Sequence, residues 1–155
     1  MLALVLAASI LAAPVPAKPP EQKLAAVTHT GHFERNDSGL KGETSLLVFT
    51  DTEEMGKVLG TIPPLRGKMA NPVPADAFEK NLVVVVIKRK DALAEYSDVT
   101  TILEGTTLKV SFTAKFGIAG TANFATPLVM SVPKEGIKSV VFVGNGKESA
   151  PIEVK

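Results

Sequence analysis

Six apolar residues stand in a row at positions 82–87 (Leu-Val-Val-Val-Val-Ile), and five of them are β-branched. A strand with one wet face would alternate, and this one does not. The run therefore predicts a central strand buried on both sides, so the domain must supply cover above and below it.

The rest of the chain supplies short strands. Residues 44–50 (TSLLVFT) form a compact β pattern. Residues 99–103 and 106–113 flank Glu104-Gly105, which predicts a hairpin, glycine giving the positive φ that tight turns need. In its second arm Leu108, Val110 and Phe112 alternate with Lys109, Ser111 and Thr113, so one face is wet. Residues 128–132, 138–143 and 152–154 complete the set, with turns at 133–136 and 144–146. Residues 24–35 carry β-formers with poor alternation and read as a first strand, closed by the turn Asn36-Asp37-Ser38-Gly39.

One helix start stands out. Thr50-Asp51-Thr52-Glu53-Glu54 offers capping oxygens and acids suited to the positive end of a helix dipole. Met55, Val58 and Leu59 then make a short apolar stripe, and Gly60 is placed to end it. Residues 61–76 contain Pro63, Pro64, Pro72 and Pro74 and read as a long loop. Seven or eight short strands with one short helix predict a mostly β fold, an antiparallel sandwich or a small partly open barrel.

Residues 1–13 are apolar and uncharged, and Pro14-Val15-Pro16-Ala17 precede the first charge at Lys18. The run is too short for a membrane span and has the pattern of a secretory signal peptide, with cleavage expected after Ala17. The expected organisation is a signal peptide at 1–17, a flexible leader at 18–23 (KPPEQK) and a single β-rich domain at 24–155. That places the domain outside the cytoplasm, in the periplasm, at the cell surface or secreted, with no membrane span after cleavage. The absence of cysteine excludes disulfide scaffolds, thiolate nucleophiles and Cys-ligated metals, and inclines the reading toward a bacterial envelope. A net charge of +1 gives no electrostatic case for nucleic acid.

His29 and His32 are the only histidines. Together with Glu34, or with Asp37 in its place, they could ligate a metal if they converge. In a regular strand a spacing of three puts them on opposite faces, so the plainer expectation is two surface histidines. Residues 117–120 (Gly-Ile-Ala-Gly) lack the ending of a phosphate loop and read as a connection between strands. Phe116 and Phe124 flank that loop and are candidate partner-binding residues, against the plainer reading as core plugs. Lys88-Arg89-Lys90 reads as a solvated strand end. The serines show no G-x-S-x-G elbow and no catalytic set is expected.

Two stretches carry a family resemblance. Residues 46–55 (LLVFTDTEEM) look like an opening strand, a threonine-rich cap and a short helix, and residues 76–81 (DAFEKN) lead into the buried run. With the later hairpin and the Thr126-Pro127 step, they resemble in order the C-terminal domain of the PrcB family over roughly residues 44–145. Where that family has a Gly-Gly-Tyr step, this chain reads Leu93-Ala94-Glu95-Tyr96 and keeps the tyrosine. The resemblance implies an exported, non-catalytic subunit or accessory domain, with no cofactor and an exported or envelope protein as partner.

Overall fold

The computed structural model describes residues 19–63 and 70–155. Its elements are β1 (Glu21–Lys23), β2 (Val27–His29), β3 (His32–Glu34), β4 (Thr44–Phe49), α1 (Thr52–Val58), β5 (Leu59–Thr61), α2 (Ala77–Lys80), β6 (Asn81–Lys90), β7 (Ala94–Glu104), β8 (Thr107–Phe116), β9 (Phe124–Pro133), β10 (Ser139–Gly144), β11 (Lys147–Glu148) and β12 (Ile152–Glu153). The expected signal peptide lies outside the described residues, as do positions 64–69 of the proline-rich loop. No helix among the described residues is long and apolar enough to cross a membrane.

The apolar run becomes β6, and all six residues from Leu82 to Ile87 are fully buried. It is an inner strand of a four-stranded antiparallel sheet ordered β2-β9-β6-β4. Leu82, Val84 and Val86 point into the space between this sheet and a second one, meeting Leu108, Val110 and Phe112 of β8 and Val140 and Phe142 of β10. Val83, Val85 and Ile87 point the other way, where Phe49, Met55, Leu59, Phe78 and Val129 cover them. Each such burial contributes about 1.5–3 kcal/mol before the entropy of ordering is subtracted. The two-faced run thus dictates three layers.

The second sheet runs β1-β7-β8-β10-β11, with β12 also on β10. The molecule is mostly β and its sheets do not close into a barrel, as a sandwich requires. One pairing departs from the antiparallel expectation: β8 and β10 are parallel, from Ser139 opposite Thr107 to Gly144 opposite Phe112. The chain leaves β8, crosses to the other sheet as β9, and returns. The β7–β8 hairpin turns at Gly105 (φ 63), one residue later than Glu104-Gly105 suggests, with Glu104 opposite Thr107. Asn145 (φ 50) and Gly146 (φ 77) join β10 to β11 in the two-residue turn that suits a right-twisted hairpin.

Three local expectations need correction. The leader is not wholly flexible, because residues 21–23 pair with Ile102, Leu103 and Glu104 at the edge of the second sheet. Among the described residues there are two helices, not one. Asp51 caps α1 through its side chain on the Glu54 N–H (2.8 Å), as its sequence suggests, but Leu59 ends that helix and Gly60 lies in β5 opposite Phe33. The Phe33 ring sits over Gly60, where a Cβ would collide with it. The second helix, α2, is a single turn that delivers Phe78 to the outer core. Four residues are too few to display a helical period. The third correction concerns residues 24–35, which are two strands in different sheets. The chain breaks at Gly31 (φ 80), whose missing side chain leaves room for Ala70.

Candidate functional site

That break decides the fate of the histidines. β2 pairs with β9, placing His29 opposite Val129. β3 pairs with β5, placing His32 opposite Thr61. Because the strand is interrupted, the opposite-face rule fails and both rings turn inward, 7% and 8% exposed. The expected surface histidines are a buried pair.

His29 Nε2 lies 2.8 Å from Ser131 Oγ. His32 Nε2 accepts the backbone N–H of Val73 at 3.0 Å, which requires its lone pair and hence the tautomer protonated on Nδ1. Thr30 and Asn71 lock the same two segments together, with Thr30 N–H donating to the Asn71 carbonyl (2.9 Å) and Asn71 N–H to Thr30 Oγ1 (3.0 Å). Among the described residues neither Nδ1 atom has a hydrogen-bond partner. Burial holds both imidazoles below their ordinary pKa of 6.5, opposed at His29 by the Asn71 and Pro72 backbone. At His32 the neighbouring His29 adds to the lowering, and the Gly60 backbone opposes it. Both rings are built to be neutral.

The metal set does not assemble. Glu34 is committed elsewhere: Arg89 Nε and Nη2 donate to its two oxygens at 2.7 Å each, and Ser38 Oγ adds a bond of 2.8 Å. Burial alone would raise the Glu34 carboxyl, but the Arg89 and Ser38 bonds outweigh it and hold it below the ordinary range. Asp37 pairs with Arg35 on the surface. Among the described residues no group of three or more His, Cys, Asp or Glu could hold a metal ion. The His29–Ser131 contact has the length of a base–nucleophile bond, yet Ser131 is a buried mid-strand residue and no acid orients Nδ1. The contact closes the β2 edge against β9.

The basic triplet is likewise not a uniform solvated edge. Arg89 is the half-buried partner of Glu34 and also donates to Gly42 O and Ser45 Oγ. Lys88 donates to Thr44 Oγ1, and Lys90 lies 4.7 Å from the centre of the Phe116 ring. Three neighbouring cations go to three different places.

Phe116 and Phe124 are 37% and 38% exposed, not core plugs. Phe116 ends β8 opposite Ala94, and Phe124 begins β9 opposite Lys90. The loop at 117–123 is tied to the β6–β7 connection by two backbone bonds, Gly117 N–H to Leu93 O (3.1 Å) and Gly120 N–H to Asp91 O (2.6 Å). These bonds bring in two residues the sequence did not single out, Leu93 (57% exposed) and Ile118 (97% exposed). The available signal was charge: none occurs between Lys115 and Lys134, although 117–123 has no core periodicity to account for it. One end of the sandwich therefore presents four large apolar side chains held by an ordered backbone. A single exposed apolar residue is unremarkable, whereas a cluster of them marks a contact surface.

No protein-family model, no curated protein and no solved structure matches this chain.

Proposed function

We propose that the chain is an exported, non-catalytic binding domain that docks a protein partner through the apolar end formed by Leu93, Phe116, Ile118 and Phe124. The observation that carries this reading is Ile118, almost fully exposed on a loop pinned by backbone hydrogen bonds. A loop held in place without covering the core is a recognition element on a rigid scaffold. The nearby charges are mixed, Lys90 and Lys115 beside Asp91 and Glu95, which suits a protein surface better than a polyanion. The PrcB-like order of elements supports an accessory role in an envelope complex, and the apolar N-terminal run supports export.

The test is comparative capture. The domain and its Ile118→Asp, Phe116→Ser double variant are immobilised in parallel and exposed to the exported proteins of the source organism. A partner retained by the first and lost from the second, with both giving the same circular dichroism spectrum, is the expected result. Equal retention on both would move the binding surface elsewhere.

A further inference from the structure

A cavity of about 300 Å³ opens where the two sheets part, between β4 and the β10–β11 hairpin. Its floor is Leu46, Phe112 and Phe142, an inward extension of the core between the sheets. Gly144 stands at the mouth and adds no side chain to close it. A Cβ there would lie 2.8 Å from the Phe112 ring.

The rim is charged. Lys88 follows Leu82, Val84 and Val86 on the same face of β6, so its stem leaves the core and its ammonium ends at the opening, donating to Thr44 Oγ1 at 2.9 Å. Lys147, from the β10–β11 hairpin, lines the other side. Among the described residues neither lysine has a carboxylate within ion-pair distance. Glu148 also lines the cavity, but Lys109 reaches its carboxylate at 3.9 Å. Two lysines against one glutamate, itself approached by Lys109, leave the lining net positive.

We infer that this cavity binds a small monocarboxylate with an apolar body, its carboxylate between Lys88 and Lys147 and its body against Leu46, Phe112 and Phe142. The volume sits at the lower bound of about 300–1,000 Å³ for ligand sites, so the ligand is small. The net positive lining selects an anion over a cation. The site uses none of the residues of the apolar end, so it stands or falls separately from the docking reading.

Octanoate is the probe, titrated calorimetrically into the purified protein beside octan-1-ol and octylammonium. One octanoate bound per chain is expected, with octan-1-ol at least about tenfold weaker and no binding of octylammonium. Lys147→Glu, at an exposed position of the short edge strand β11, should weaken octanoate at least tenfold without changing the thermal midpoint. Leu46→Trp should block the cavity. Since Leu46→Trp touches the core, Lys147→Glu is the deciding variant. Octanoate failing to saturate by about 10 mM, a free energy near 3 kcal/mol, would overturn the assignment. So would equal affinity for octan-1-ol, or an unchanged affinity in Lys147→Glu.

Discussion

The histidine corner and the apolar loop end invert the usual partition of side chains in opposite senses. At the corner, polar rings are buried: His29 and His32 are shut in against the segment 71–73, and each leaves one nitrogen unpaired. At the loop end, Leu93, Phe116, Ile118 and Phe124 are left in water. The two departures have different consequences. A buried polar group must be satisfied or neutral, so the corner is coupled to the stability of the fold. An exposed apolar group contributes little to stability, so the loop end calls for a reason outside the fold.

The sharpest way to break that contrast is to damage the polar interior. Arg89→Met would leave the part-buried Glu34 carboxylate with Ser38 Oγ as its remaining side-chain donor, and the expected loss is about 2–3 kcal/mol of unfolding free energy in urea. Glu34→Gln should fall short of that, because the neutral amide keeps part of the hydrogen bonding. A smaller loss in Arg89→Met than in Glu34→Gln would show that water reaches the pair.

Acid separates the corner from the ion pair. The histidines have folded pKa values below the 6.5 of the unfolded chain, so the unfolded state binds more protons there. Their contribution is complete above pH 6.5 and declines as pH falls through that value. Glu34 is also held below its ordinary 4.5, and its contribution is lost only as pH drops below that value. Urea midpoints measured across pH should therefore fall in two stages. In a His29→Gln, His32→Gln double variant the upper stage should vanish and the lower stage remain.

A milder loss is expected at Tyr96. Its hydroxyl donates to the Thr126 carbonyl at 2.7 Å, linking β7 to β9 across the sandwich, and its ring meets Phe112 edge-on at 5.9 Å. Burial pushes its pKa up to about 12, with the Lys88 backbone acting against it. Tyr96→Phe keeps the ring and loses the bond, for about 1 kcal/mol by thermal unfolding. The smallest effect belongs to the loop end. Ile118→Asp should change stability by less than about 0.5 kcal/mol, because nothing packs on that side chain. A larger loss would mean that the loop serves the core and would erase the contrast between the two regions.

What the sequence made legible follows from the physics of each signal. Burial of residues 82–87 on both faces could be read directly, because an unbroken β-branched run admits no wet face. Asp51 and the alternation of β8 were equally local, and both appear as expected. The histidine corner was hidden by one glycine. Without the break at Gly31 the face rule would have held, and whether a glycine in a β pattern bends the chain or lies flat depends on neighbours distant in sequence, here Ala70. The same distance effect concealed the partner of Glu34, 55 residues away at Arg89. Leu93 and Ile118 were missed because their neighbourhood is created by two backbone bonds between loops; the uncharged stretch after Lys115 signals an unusual segment but not what it meets.

The path of the chain through β8, β9 and β10 also has a kinetic consequence. Successive strands fall in the second sheet, the first sheet and the second again, so the parallel β8–β10 ladder encloses the whole of β9, which pairs with β6 in the other sheet. Neither layer is a contiguous piece of chain, so neither has a route to independent assembly. Contacts of this kind close large loops before they repay the entropy, which places folding toward the slow, millisecond-to-second end for small domains. The domain should accordingly cross a single barrier as one unit, and cutting it anywhere between β6 and β10 should yield fragments without residual structure.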